Sequence, residues 1–191
     1  MKLCNREIIR SQKGFTLLEL VVSMVIVGVI ALGATVMVIQ ILLTNSRSSA
    51  RMLAIKQVEN AVHWLSRDVQ MAQSVELAQV GTDSPAGTLF PLTLAWTDWE
   101  TGLHYHVIYS LEGGDEAVLE RQELVYDGAG NPEEDAGSSN PVASGIATDP
   151  AMTSLEYSGG TVTMNITAVM SEGSQTASES RTASVVPRPL Q

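Results

Sequence analysis

The sequence predicts an α+β fold: one long N-terminal helix, with a membrane half and an amphipathic half, packed on an antiparallel β-sheet. Three observations predict it. An almost uninterrupted apolar run extends from Phe15 to Leu43. A three-four spacing of apolar residues continues beyond that run as far as Ala72. After Gly81 the apolar period falls to two, with turn residues between the alternating stretches.

The first fourteen residues form a basic tip. Lys2, Arg6, Arg10 and Lys13 stand against Glu7, for a net charge of +3, and the rest of the chain carries −13 of the total −10. An acidic body with a basic tip argues against nucleic acid as a partner, because neutralising phosphates takes clustered Lys and Arg. It suits a chain whose tip faces the cytoplasm and whose body is exported. The single cysteine, Cys4, lies in the tip. Once the tip is removed there is no thiol, so the body holds together by packing alone. A length of 191 residues suits one globular domain and one membrane segment.

The 29 residues from Phe15 to Leu43 contain only Thr16, Glu19, Ser23, Thr35 and Gln40 as polar side chains. As a helix they span roughly 44 Å, against a hydrocarbon core of about 30 Å. A buried helix of a soluble domain is rarely apolar on every face for that length. A secretory signal peptide has an apolar region of only about 7–15 residues, closed by a small-residue cleavage site. Four basic residues precede the run, so the positive-inside bias places the N-terminus in the cytoplasm. Glu19 is the anomaly within it. An acid at the centre of a membrane helix costs roughly 2.5–3.5 kcal/mol on insertion scales. Near the helix end the cost is smaller, but the group still calls for a partner.

Beyond Leu43, the residues Ile55, Val58, Val62, Leu65, Val69 and Ala72 mark one face of an amphipathic helix. Arg51, Lys56, Glu59, Arg67, Asp68 and Gln70 mostly lie off that face. No proline occurs before Pro85. The helix is therefore expected from Phe15 to about Val75, with residues 44–75 as its amphipathic half and residues 76–191 as the β-rich domain. His63 reads as a boundary histidine, with no second His or Cys at metal spacing.

Strands are expected at Thr88–Trp96, Leu103–Leu111 and Ala117–Tyr126. Glu112-Gly113-Gly114-Asp115 reads as a hairpin turn and Asp98–Gly102 as a second turn. Gly128–Pro150 is rich in Gly, Ser, Asn, Pro and acids, and reads as a long loop. Val162, Met164, Ile166 and Ala168 alternate on a strand over Thr161–Met170. Gly173-Ser174 turns the chain into a last strand over Ala177–Val186. His104 and His106 share one face of their strand but lack a third ligand, and Asp98 with Glu100 reads as a solvated turn. No phosphate loop, zinc pattern or nucleophile motif is present.

Lys13-Gly14-Phe15-Thr16-Leu17-Leu18-Glu19 resembles the processing site of type IV prepilins and type II secretion pseudopilins. The family pattern is a basic leader ending in Gly, then Phe, an acid at the fifth mature position, and an apolar run. The resemblance covers residues 1 to about 43 and implies a pilin-like fold. It implies that a prepilin peptidase cuts between Gly14 and Phe15 and methylates the new amino group of Phe15. It implies that Glu19 pairs with the N-terminal ammonium of a neighbouring subunit during assembly. Trp64-Leu65-Ser66-Arg67-Asp68-Val69-Gln70-Met71-Ala72 is similar to the string closing the long helix in J-type minor pseudopilins and W-type minor pilins. Major pilins often carry a proline near the position of Val36, and this chain does not.

The function expected is that of a minor pilin or pseudopilin, a structural subunit of a type IV pilus (fimbrium) or of a type II secretion-like or DNA-uptake fibre. Residues 1–14 are then the leader and 15–43 the transmembrane and assembly half of the helix. The partners implied are prepilin peptidase, other pilin or pseudopilin subunits, an inner-membrane assembly platform and the lipid bilayer. The location implied is the inner membrane, single-pass with the N-terminus in the cytoplasm, and an extracytoplasmic fibre after assembly. No catalytic role, cofactor or metal is expected. Some pseudopilins bind calcium in a loop of this domain. Here the candidate oxygen ligands are Asp127, Asn131, Glu133 and Asp135, at a spacing unlike that of an EF-hand. The alternative is a signal-anchored exported enzyme or sensor domain, which needs a catalytic set that the sequence does not display.

Overall fold

The computed structural model describes residues 15–78, 90–114, 116–132, 137 and 139–188. The expected leader, and Gly14 with it, lies outside the described residues, as do Asp115, Glu133, Glu134 and Asp135. The fold is α+β and pilin-like, as expected: helix α1, Leu17–Met71, and an antiparallel sheet. The chain forms two compact units, residues 1–44 and 45–191.

In the first unit α1 is apolar around its whole circumference. Every side chain from Phe15 to Thr44 is exposed, including Leu17, Ile26 and Leu32. Such a surface is stable only when lipid or other apolar helices surround it. In the second unit α1 buries one stripe: Ala50, Ala54, Val58, Ala61, Leu65, Asp68 and Val69. This stripe is rotated from the expected face. Ile55 is exposed and Val62 half-buried, while the row Ala54, Ala61, Asp68 takes their place. Small side chains win because they let the backbone approach the sheet closely. Asp68 lies inside because the sheet supplies its partners.

The helix ends at Met71, short of the expected Val75. Ala72 N–H closes the last turn onto the carbonyls of Asp68 and Val69, and Gln73 N–H already bonds to Ala95 O at 2.8 Å. Val75 instead sits in β1, Ser74–Leu77, paired with β2, Leu92–Thr97. Then follow β3, His104–Glu112, and β4, Glu116–Tyr126, in an antiparallel meander. The expected turn over Asp98–Gly102 is present, and Gly113 and Gly114 of the other lie between β3 and β4. Residues Asp98–Gly102 join β2 to β3, closed by Asp98 N–H to Leu103 O at 2.9 Å.

The loop expected over Gly128–Pro150 is corrected: it contains β5, Ser139–Ala147. Its Gly, Ser and Pro content disguises a strand that buries Ala143, Ile146 and Ala147. Pro141 is tolerated because it faces Glu120 next to a register shift against β4. Gly145 has φ +68° and passes close to β7. Three more strands follow: β6, Ser154–Ser158; β7, Thr161–Glu172; and β8, Gln175–Val185. The order is β1-β2-β3-β4-β5-β7-β6, with β8 on the other edge of β7. The expected face of β7 (Val162, Met164, Ile166, Ala168) is fully buried against the helix stripe and Phe90, Leu94 and Val107.

Gly145 generates a test. A Cβ there would lie 2.5 Å from Val169 O and 2.6 Å from Met170 Sδ, on a backbone that L side chains avoid. Gly145→Ala is expected to lower stability by about 1–3 kcal/mol. A urea unfolding curve with an unchanged midpoint would contradict this.

Candidate functional site

The N-terminal segment is built around a helix start. Thr16 is the residue before α1, and its Oγ1 accepts from Glu19 N–H at 3.3 Å, while Leu20 N–H reaches Thr16 O at 3.2 Å. This is an N-cap, in a Thr-x-x-Glu pattern immediately before an apolar run. That pattern is legible in the sequence and adds a local reason for Glu19: an acid in the first turn faces the positive end of the helix dipole. Ser23 and Thr35 turn their hydroxyls onto the carbonyls of Glu19 and Ala31, at 2.8 and 2.9 Å. These polar groups are thus satisfied within the helix. The carboxylate of Glu19 has no partner among the described residues. Phe15 is 81% exposed, one turn before Glu19.

A second constellation, which reading the sequence missed, sits in the other unit. Asp68 is wholly buried on α1. Its Oδ2 accepts from Tyr109 Oη at 2.6 Å and from Arg121 Nε at 2.7 Å. Arg121 also donates to Glu123 at 2.5 Å. The guanidinium groups of Arg67 and Arg121 both lie over the Trp64 ring, 5.4 and 5.5 Å from its centroid. Helix α1 supplies the acid and the indole, β3 the phenol, and β4 the cation. Burial, reinforced by the adjacent Asp68 charge, pushes the Tyr109 phenol far above the ordinary tyrosine range. Burial works against the Arg121 charge, but its bonds to Asp68 and Glu123 outweigh that and hold it protonated. The only sequence signal was the Trp64–Ala72 string, which puts Trp64, Asp68 and Ala72 at four-residue spacing.

The other candidates have structural surroundings. His63 is exposed and lies edge-on to Trp64. His104 and His106 do share an exposed face. His104 Nδ1 lies 2.9 Å from Thr97 Oγ1, and the His106 ring packs edge-on against Tyr126. Asp98 closes its own turn, accepting from Thr101 Oγ1 and Glu100 N–H at 2.8 and 3.0 Å, which lower its pKa. Asp127 and Asn131 come together. The Asn131 side chain and backbone N–H groups donate to the Asp127 carboxylate at 3.0 and 2.7 Å and lower its pKa. Glu133 and Asp135 lie outside the described residues. Among the described residues no three His, Cys, Asp or Glu side chains converge to hold a metal.

A family model, the prokaryotic N-terminal methylation motif, matches residues 9–35. That span contains Gly14, Phe15, Glu19 and most of the apolar run. No curated protein and no solved structure matches the chain.

The buried cluster generates two tests. Asp68→Ala leaves the largely buried Arg121 with Glu123 as its remaining carboxylate and strips Tyr109 of its acceptor, and is expected to cost about 3–5 kcal/mol in urea unfolding. The pair Asp68→Leu with Arg121→Met removes both charges and is expected to recover most of that loss. Equal losses in the single and double variants would refute the coupling. For Tyr109 the folded pKa lies above the unfolded value of about 10. Its contribution is therefore complete below that value and lost as pH rises towards the folded one. Alkaline unfolding is expected to begin above about pH 10 and to become shallower in Tyr109→Phe.

Proposed function

We propose that this chain, whose residues 9–35 match the N-terminal methylation motif of type IV prepilin-like proteins, is a minor pilin or pseudopilin. In this reading it is a structural subunit of a type IV pilus or type II secretion-like fibre. The observation that carries the proposal is the register of Gly14, Phe15 and Glu19 inside the matched span. Gly14 ends the basic leader, and its missing side chain lets a peptidase reach the backbone. Cleavage leaves Phe15 as the new N-terminus, to be methylated by the same prepilin peptidase.

The processed chain is held in the inner membrane by its apolar helix, N-terminus in the cytoplasm, until an assembly platform passes it into a fibre with other subunits. Glu19 then pairs with the terminal ammonium of a neighbour. In an apolar bundle that attraction is far stronger than in water, and it relieves the unpaired carboxylate. The assignment to a minor subunit is supported by the Trp64–Ala72 string and by the absence of proline near Val36.

Mass measurement of the membrane-extracted protein tests processing. A chain lacking residues 1–14 and carrying one added methyl group is expected in cells with an active prepilin peptidase. An intact leader there sinks the proposal. Glu19→Gln tests assembly in the same preparation, because the Thr16 cap uses the backbone N–H and survives the change. Membrane insertion should persist while incorporation into fibres is lost. A signal-anchored enzyme or sensor would tolerate the substitution.

A further inference from the structure

The second unit carries an open cleft of about 580 Å³ that the fibre reading does not use. It lies where the end of α1 meets β2, β3 and β4. Trp96 and Tyr105 line it as a parallel stack, with ring centroids 5.5 Å apart and planes 8° apart. Trp99 joins them from the β2–β3 turn and is 73% exposed.

The turn orders the backbone that carries that indole. Asp98 accepts from Glu100 N–H and Thr101 Oγ1, Gly102 N–H bonds to Asp98 O at 2.8 Å, and Gly102 takes φ +73°, a conformation that favours glycine. A large aromatic surface thus stands in solvent beside a cleft, where it contributes little to the core.

The charges decide what can bind. The lining carries carboxylates of Asp68, Asp98, Glu100 and Glu123, and guanidinium groups of Arg67, Arg121 and Arg188. An anion meets the acids and a cation meets the arginines, so neither is favoured. Asp68 Oδ1 is buried with no hydrogen-bond partner, on a side chain only 1% exposed. That atom is out of a ligand's direct reach, so what a ligand meets is the arginines and the acids at the rim.

A neutral ring with hydroxyl groups satisfies all of these conditions. Its C–H face stacks on an indole, and each hydroxyl both donates and accepts. We propose that this cleft binds a neutral carbohydrate. Trp99 stacks on the sugar ring and Arg67 and Arg188 donate to its hydroxyls. Glu100 accepts at the rim. The proposal does not depend on fibre assembly.

The test uses the full chain in a detergent without a sugar headgroup, since a maltoside would compete. Titration calorimetry is run with maltose, cellobiose, lactose and diacetylchitobiose, and with lysine amide and acetate as charged probes. Saturable binding of at least one disaccharide is expected, weakened about tenfold or more by Trp99→Ala and less by Glu100→Gln. Circular dichroism and unfolding curves of the variants should match the parent. No heat from any disaccharide into the tens of millimolar, binding only of a charged probe, or unchanged affinity in Trp99→Ala overturns the proposal.

Discussion

The carboxylate of Asp68 sets how the second half of α1 meets the sheet. A lone carboxylate cannot leave water without a compensating charge and hydrogen bonds. Here the compensation comes from two strands at once: the phenol of Tyr109 on β3 and the guanidinium of Arg121 on β4. The helix must therefore present Asp68 inward, at the one height where both reach it. Rotation by one residue or a slip by one turn would strand the acid and leave Arg121 facing Glu123 and Trp64 alone. Apolar packing tolerates such slips far better, because Ala, Val and Leu contacts are not directional.

Close approach is the second condition. Ala50, Ala54 and Ala61 line the buried stripe of the helix, and the inner face of β7 runs Val162, Met164, Ile166, Ala168. The outer face of the β7–β8 pair is handled differently. Thr163 with Ser184, Thr167 with Ser180, and Ser171 with Thr176 exchange hydroxyl hydrogen bonds across the strands. That face is uncharged and mostly exposed on β8, with Thr167 buried where Met152 O meets its hydroxyl, and the alternation on β7 separates it from the apolar face. Longer-range polar contacts fasten α1 along β5, β7 and β8. Ser144 N–H bonds to Gln57, Ser46 Oγ bonds to Glu172 O, and Arg51 pairs with Glu179.

The apolar unit follows the opposite logic. Its polar side chains Ser23 and Thr35 are absorbed by backbone carbonyls of the same helix, and Thr16 caps the first turn. Nothing in that arrangement requires another part of the chain. Glu19 stands out because its carboxylate, in the first turn, carries a full charge and has no partner among the described residues.

The sequence by itself determined what depends on near neighbours. The apolar run, the Gly14-Phe15-Glu19 register, the two turns and the alternation of β3, β4 and β7 are local patterns, and each is readable because its period or spacing states its structure. What only the tertiary structure decided involves residues far apart in the chain. β5 hides in a Gly-, Ser- and Pro-rich stretch because its place between β4 and β7 makes it a strand. β1 and β6 are too short to show a period and exist through their pairing. Asp68 looked like one more charge off the apolar face, since Tyr109 and Arg121 lie 41 and 53 residues away. A carboxylate's burial is settled by the donors that reach it, and spacing along one helix carries no record of them.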